Sequence, residues 1–213
     1  MDTRARAADD PKQPRAGTKA KIIEAALETL KARGFAGTSA REIASTGGFN
    51  QALIFYHFGS VQNLLLAGLD LVSERRLQAY GPAFTEAETL SELATLATEI
   101  YREDLQNGYV TVLVEMVAGA VSSPELGRAV AARIEPWLEL VENKVRALVA
   151  GSLFGPLIPA RDLAFAIVAL YLGVDMLSHL EQDRARAESL LALGTRLAPL
   201  AQTLVPARPQ EER

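Results

Sequence analysis

The chain has 213 residues, of which 49% are hydrophobic and 23% are charged, and it contains no cysteine. This composition is typical of a globular protein, and it excludes disulfide bonds and thiolate metal sites. Because no apolar run reaches the roughly 20 residues of a membrane span and residues 1–17 hold no apolar signal segment, we expect a cytoplasmic protein without membrane partners.

The net charge of −4 is distributed unevenly along the chain. Up to Ser60 there are nine Lys and Arg residues against six Asp and Glu, and from Val61 onward there are thirteen against twenty. A basic head on an acidic body suits a protein that meets a polyanion at one end only.

The first sixty residues predict a tail and three helices. Residues 1–17 lack hydrophobic periodicity and predict a disordered tail, although a basic arm that contacts phosphates is the alternative. Apolar periodicity predicts a first helix over Thr18–Arg33. Ser39 and Glu42 form a capping-box pattern that begins a second helix, which Gly47 and Gly48 end. Asn50 is a favourable cap for a third helix, Gln51–Phe58.

The remaining chain predicts a larger helical body. Thr89 with Glu92 is a second capping box, and Ser123 before Pro124 is a strong helix start. We predict six further helices: Val61–Tyr80 ending at Gly81 and Pro82, a helix to about Asn107 that Gly108 ends, Tyr109–Val121, a helix from Pro124 to about Ala150, Ala160–Leu180 and Arg184–Leu204. We predict a polar tail over residues 206–213. The sequence therefore predicts an all-α protein of about nine helices, with a head at 18–60 and a body at 61–205.

The second and third helices carry the motif with the clearest chemistry. A helix, a tight glycine turn and a second helix form the geometry that presents the second helix to the major groove of DNA. Side-chain amides read adenine edges there, and hydroxyl or imidazole groups hold phosphates. The predicted exposed face of the third helix has these groups at Asn50, Gln51, Tyr56 and His57, with Ala52 beside them.

This stretch resembles the DNA-binding head of the TetR family of transcriptional repressors. Their pattern is close to T-S-x-x-x-I-A-x-x-A-G-V-S-x-G-x-L-Y-x-H-F-x-S-K-x-x-L. In this chain the corresponding positions are Thr38-Ser39, Ile43-Ala44, Gly47-Gly48-Phe49-Asn50, Ala52, Ile54-Phe55, His57-Phe58, Ser60 and Leu64. Three departures stand out: Val61 replaces a lysine, Phe55 replaces a tyrosine and Ala52 replaces a glycine.

The resemblance implies an all-α homodimer that binds a palindromic operator in double-stranded DNA and is released by a small-molecule effector. It also implies the DNA-contacting residues, namely Thr38, Ser39 and Arg41 on or beside the second helix, Asn50, Gln51, Ala52 and Leu53 at base edges, and Tyr56 and His57 on the backbone. The alternative is a helical small-molecule binder or scaffold with a degenerate head.

The body offers weaker candidates for a ligand site. Asp175 and His179 lie four residues apart and so share a helix face, which predicts either a polar pair at a dimer seam or a ligand anchor. Two such groups are too few for a metal site. Other candidates, which equally suit a plain core, are Tyr101, Tyr109, Met116, Trp137, Phe165 and Met176.

The sequence lacks the catalytic and phosphate-binding motifs of enzymes, so we predict neither enzymatic activity nor a cofactor. An enzyme that uses Asp175 and His179 is the remote alternative. The last two long helices carry more apolar residues than one chain can bury, so we predict that they pair across a dimer as a four-helix bundle.

Overall fold

A computed structural model describes residues 12–150, 157, 159–181 and 184–203, with the side chains of 12–16, 175 and 179–181 outside that description. The described residues form helices and no strand, which confirms the all-α prediction. The helices are α1 (Lys12–Arg33), α2 (Ala40–Gly47), α3 (Ala52–Phe58), α4 (Val61–Glu86), α5 (Leu90–Asn107), α6 (Tyr109–Ala120), α7 (Pro124–Val149), α8 (Ala160–Glu181) and α9 (Ala185–Gln202).

The chain divides into two compact units between Gly68 and Leu69. This boundary lies later than the expected one at Val61, because the first turns of α4 belong to the core of the first unit. Leu64 on α4 is fully buried, and a Cβ added to Gly68 would come within 2.9 Å of the Leu27 side chain. The glycine therefore allows α4 to approach α1 closely.

The N-terminal unit is built on a small apolar core with well-capped helices. Ile22, Leu30, Ile43 and Ile54 are at most 1% exposed. Burial of such side chains contributes about 1.5–3 kcal/mol each and is the main force that holds the short α2 and α3 in place. Gly48 ends α2 at φ 63°, a left-handed conformation that favours glycine.

The start of α1 differs from the prediction. The helix begins at Lys12, so residues 12–17 are helical rather than part of a disordered tail. Pro14 permits this, because the amides of the first helical turn have no partner inside the helix and proline loses nothing there. Residues 1–11 of that predicted tail, the predicted tail at 206–213 and most of the predicted loop after Ala150 lie outside the described residues.

Helix α4 also differs, because it passes through Pro82 instead of ending before it. Interior proline removes a backbone hydrogen bond and costs about 3 kcal/mol. Tertiary contacts offset that cost: Phe84 packs against a core cluster that contains Val141 and Val145. The ammonium group of Lys144 also donates to the carbonyls of Thr85 and Ala87, at 2.7 Å each, and so satisfies the end of the helix.

In the C-terminal unit, α7 packs against α6 and α8, and α5 packs against α9. The capping box predicted at Thr89 is confirmed in both directions, since Thr89 accepts from the Glu92 amide and the Glu92 carboxylate accepts from the Thr89 amide. Within the described ranges, no single helix has the length and apolar composition of a membrane crossing; only the bent pair α3 and α4 meets those criteria jointly, as core helices also do.

Candidate nucleic-acid interface and ligand cavity

The exposed side of α3 is the main surface feature of the N-terminal unit. Gln51 and Ala52 are exposed, and Tyr56 is 71% exposed, whereas Ile54 on the opposite side of the helix is buried. Asn50 precedes the helix, and its Oδ1 accepts a hydrogen bond from the Ala52 amide at 2.9 Å. The polar side of α3 is therefore exposed, while its apolar side packs into the core.

The aromatic end of α3 is only partly covered. The Tyr56 and His57 rings meet edge to face with centroids 4.9 Å apart, and Phe55 is 51% exposed. His57 and Leu53 are half-buried. Tyr56 is therefore largely accessible to solvent. His57 and Leu53 each contact the core on one side and are exposed on the other.

The start of α2 places the three predicted contact residues differently. Arg41 is exposed. The Ser39 hydroxyl accepts from the Glu42 amide at 3.3 Å, so it serves as the helix cap, and Glu42 itself pairs with Arg33 at 2.8 Å. Thr38 is only 9% exposed, and its hydroxyl donates to the Gly34 carbonyl at 2.6 Å. The structure thus leaves Arg41 exposed but turns Thr38 inward.

The C-terminal unit contains a separate cavity that is partly open to solvent. It has a volume of about 150 Å³, and α4, α5, α6, α7 and α8 contribute to its wall. Most of the lining is apolar, including Leu69, Val72, Ile100 and Leu140. The polar lining residues are Ser73, Arg76, Tyr80, Tyr109, Arg133, Trp137 and Tyr171.

A buried carboxylate organises one side of this cavity. Asp104 is fully buried, and its Oδ1 accepts from Arg76 Nε at 2.8 Å. Its Oδ2 accepts from Arg76 Nη2 and from the Tyr171 hydroxyl. Burial raises the pKa of Asp104 and outweighs the opposing charge of Arg76. One carboxylate therefore connects α4, α5 and α8.

Trp137 extends this cluster along the wall. The Arg76 guanidinium lies 4.5 Å from the centroid of the Trp137 ring, and the indole Nε1 donates to Ser73 Oγ at 3.0 Å. A second arginine, Arg133, is matched by Asp70, with Nε 2.7 Å from Oδ1 and a hydrogen bond of 2.9 Å from Nη2 to Oδ2. Both cavity arginines thus carry their own counter-ion.

The structure brings only some of the predicted ligand residues together. Tyr109 and Trp137 line the cavity. Tyr101 and Met116 are buried but do not line it, and Tyr101 donates instead to Ser178 Oγ at 3.1 Å. Phe165 and Met176 on α8 are 64% and 43% exposed. The side chains of Asp175 and His179 lie outside the described residues.

Sequence reasoning missed Arg76, Asp104 and Tyr171. A usable signal existed for Asp104, which lies four residues after the buried Ile100 on the same face of α5. Nothing in the sequence pairs it with Arg76, which is distant along the chain. Among the described residues, no group of three or more His, Cys, Asp or Glu side chains is arranged to hold a metal ion.

The N-terminal geometry agrees with comparisons to known proteins. Residues 22–67 match the family described as bacterial regulatory proteins, tetR family. The HTH-type transcriptional regulatory protein RaaS of Mycobacterium tuberculosis is 30% identical over 143 residues, which cover 67% of this chain and 61% of that protein. The matched region thus spans less than two thirds of RaaS.

Solved structures extend the likeness to nearly the whole chain. A TetR-family member from Streptomyces coelicolor A3 is 26% identical, with a TM-score of 0.63 and coverage of 89% of this chain and 99% of the other. FadR from Bacillus subtilis, solved in complex with stearoyl-CoA, is 15% identical, with a TM-score of 0.68 and coverage of 88% and 99%. RaaS and FadR are both transcriptional regulators. The chain belongs to the TetR family of bacterial transcriptional regulators.

Proposed function

We propose that the protein is a ligand-responsive transcriptional repressor that binds a palindromic operator as a homodimer. The observation that carries this proposal is the exposed polar face of α3, set against α2 by the left-handed Gly48. Gln51 and Asn50 are suited to base edges, and Arg41 and Tyr56 are suited to phosphates. Leu53 and His57 contribute their exposed parts to the same surface.

Dimerisation is proposed from the apolar surface of the last two helices. Large side chains on both remain exposed in the single chain, and burying such a patch against a second copy is the usual solution. These residues are Phe165, Ile167, Leu170, Met176, Leu177, Leu190, Leu193, Leu197 and Leu200. Their α8 and α9 would form a four-helix bundle with the same helices of the second copy.

Release by a ligand is proposed from the position of α4 in the chain. Its first turns supply Leu64 and Leu65 to the core of the N-terminal unit, and its later turns supply Ser73 and Arg76 to the cavity wall. Two recognition helices must lie about 34 Å apart to enter successive major grooves. A ligand that favours another spacing lowers operator affinity by its differential affinity for the two states.

The test is binding to DNA from the protein's own upstream region, titrated at several salt concentrations. We expect saturable binding that weakens with salt. Gln51→Ala should relax sequence preference, and Arg41→Ala should weaken binding to all sequences. The matched controls are Gln106→Ala and Arg102→Ala, because both residues are exposed on α5 and outside the proposed interface.

The alternative is a helical small-molecule binder with a degenerate head. The inward Thr38 and the valine at position 61, where the family pattern has a lysine, favour this reading. It predicts that no upstream or genomic DNA fragment shows saturable binding, while ligand binding to the C-terminal unit persists.

A further inference from the structure

The cavity of the C-terminal unit has a chemistry that restricts its occupant. This inference rests on the proposed ligand-responsive function and gives the effector a chemical class. We propose that the cavity binds an uncharged, single-ring aromatic compound that carries a hydrogen-bond acceptor such as a carbonyl or ether oxygen.

Size and lining give the first part of this inference. The cavity volume is about 150 Å³, and apolar side chains dominate its wall. A dry apolar cavity of about this volume accommodates benzene in another protein. A single aromatic ring with a small substituent therefore fits the space, and the neighbouring Trp137 ring offers it an aromatic contact.

The charged residues of the cavity wall disfavour an ionic ligand. Arg76 is already neutralised by Asp104, and Arg133 by Asp70. An anionic ligand that takes Arg76 would leave the fully buried Asp104 without its counter-ion, and a cationic ligand would find both nearby carboxylates already paired with arginines. Interactions with the wall therefore do not offset the free-energy cost of desolvating a charged ligand, whereas a neutral ligand does not incur that cost.

The hydrogen-bonding groups of the cavity wall favour a ligand that carries an acceptor. The polar groups of the lining mostly have protein partners already: Tyr80 donates to Glu103, Tyr171 to Asp104 and Trp137 to Ser73. Among the described residues, the hydroxyl hydrogens of Ser73 and Tyr109 have no such acceptor. The wall therefore offers two unused hydroxyl donors, in addition to the buried Arg133 Nε, which is ion-paired with Asp70 but makes no hydrogen bond. An acceptor on the ligand satisfies one of the hydroxyl groups.

A series of four planar probes of nearly the same shape tests the proposal. Acetophenone is neutral with an acceptor, α-methylstyrene is neutral without one, benzoate is an anion and benzamidine is a cation. Calorimetry on the full chain measures each affinity, and the fluorescence of Trp137, the one tryptophan in the sequence, reports occupancy of the cavity. We expect acetophenone to bind at least about tenfold more tightly than either ion, and about fivefold more tightly than α-methylstyrene.

Two variants locate the site. Tyr109→Phe should reduce acetophenone binding towards the level of α-methylstyrene and leave α-methylstyrene unchanged, because only a hydroxyl is lost. Tyr101→Phe is the matched control, since its hydroxyl bonds Ser178 away from the cavity. Ala97→Leu places extra atoms in the wall and should weaken binding of both neutral probes, with thermal unfolding as the check that it folds.

The outcomes separate this inference from the proposed function. Equal or tighter binding of benzoate or benzamidine, or no binding of acetophenone, overturns the inference, even if the protein binds its operator. Tight acetophenone binding without any operator binding supports the inference as a statement about the cavity and contradicts the repressor proposal. Because the probe measurements use no DNA, neither result depends on the other.

Discussion

Asp104 is a fully buried carboxylate that links two other helices, because it accepts hydrogen bonds from Arg76 and Tyr171. The sequence pattern instead pointed to Asp175, four residues before His179 on an apolar helix, and both of those side chains lie outside the described residues. Helical periodicity identifies a residue that faces inward, but it does not identify the partner. The Arg76 contact depends on how α4 and α5 pack, which no local pattern encodes.

We expect Asp104→Leu to lower the free energy of unfolding by about 3–5 kcal/mol, because it leaves the mostly buried Arg76 without a counter-ion. Denaturant unfolding followed by circular dichroism measures this. The double variant Arg76→Met with Asp104→Leu should recover most of the loss, since it removes both charges. A double variant no more stable than Asp104→Leu alone would contradict the assignment of the loss to an unpaired arginine.

Tyr56 differs from the other tyrosines because its ring is mostly exposed and no described residue bonds its hydroxyl. If the hydroxyl holds a phosphate, Tyr56→Phe should weaken operator binding and nonspecific binding by the same factor, about fivefold. Fluorescence anisotropy with operator and scrambled duplexes measures both. A loss confined to the operator would instead place Tyr56 at a base edge.

Helix ends were the elements that sequence predicted best. The stops at Gly48 and Gly108 and the cap at Thr89 are where the pattern placed them, because capping depends on residues only a few positions apart. The failures came where distant residues intervene. Pro82 marks a helix end by local rules, yet Lys144 and the core around Phe84 come from elsewhere in the fold.

The capping box of α5 predicts a pH dependence. Hydrogen bonds from the Glu88 and Thr89 amides lower the pKa of Glu92 below its ordinary value of 4.5. A carboxylate whose folded pKa is depressed adds stability above its unfolded pKa and loses it as pH falls through the folded pKa. The free energy of unfolding of the wild type should therefore decrease in part as the pH falls below about 4.5. Glu92→Ala should not show the part of this decrease that comes from protonation of Glu92.

Thermal unfolding between neutral and acidic pH measures the difference between wild type and Glu92→Ala. Glu99→Ala, an exposed position on the same helix, is the matched control and should follow the wild-type profile. Parallel pH profiles for wild type and Glu92→Ala would show that the capping hydrogen bonds do not contribute to acid sensitivity.

At the scale of the whole molecule, sequence predicted the helical order and the division into head and body, but not the cavity. The candidates Tyr109 and Trp137 reach the cavity wall, whereas Phe165 and Met176 are exposed on α8. Aromatic and methionine side chains identify apolar faces of helices. They do not show whether such a face packs in the core, lines the cavity or contacts a second copy of the chain. The packing of the helices in the C-terminal unit decides this.

The exposed face of α8 and α9 gives the last prediction. Leu170 and Leu197 are 60% and 48% exposed, and in the proposed dimer both would be buried against the second copy. Burying a charge there without a partner costs several kcal/mol per site, and symmetry imposes the cost twice. Leu170→Glu and Leu197→Glu should therefore produce monomers that remain helical, as measured by sedimentation velocity and circular dichroism.

Val121→Glu is the matched control, because Val121 is 86% exposed and lies at the end of α6, outside α8 and α9. It should keep the wild-type sedimentation coefficient. The two monomeric variants should also lose most operator affinity, since one head alone makes half of the contacts and forfeits the high effective concentration of the second. Variants that become monomeric yet bind the operator as tightly as wild type would show that the head does not need a symmetric partner.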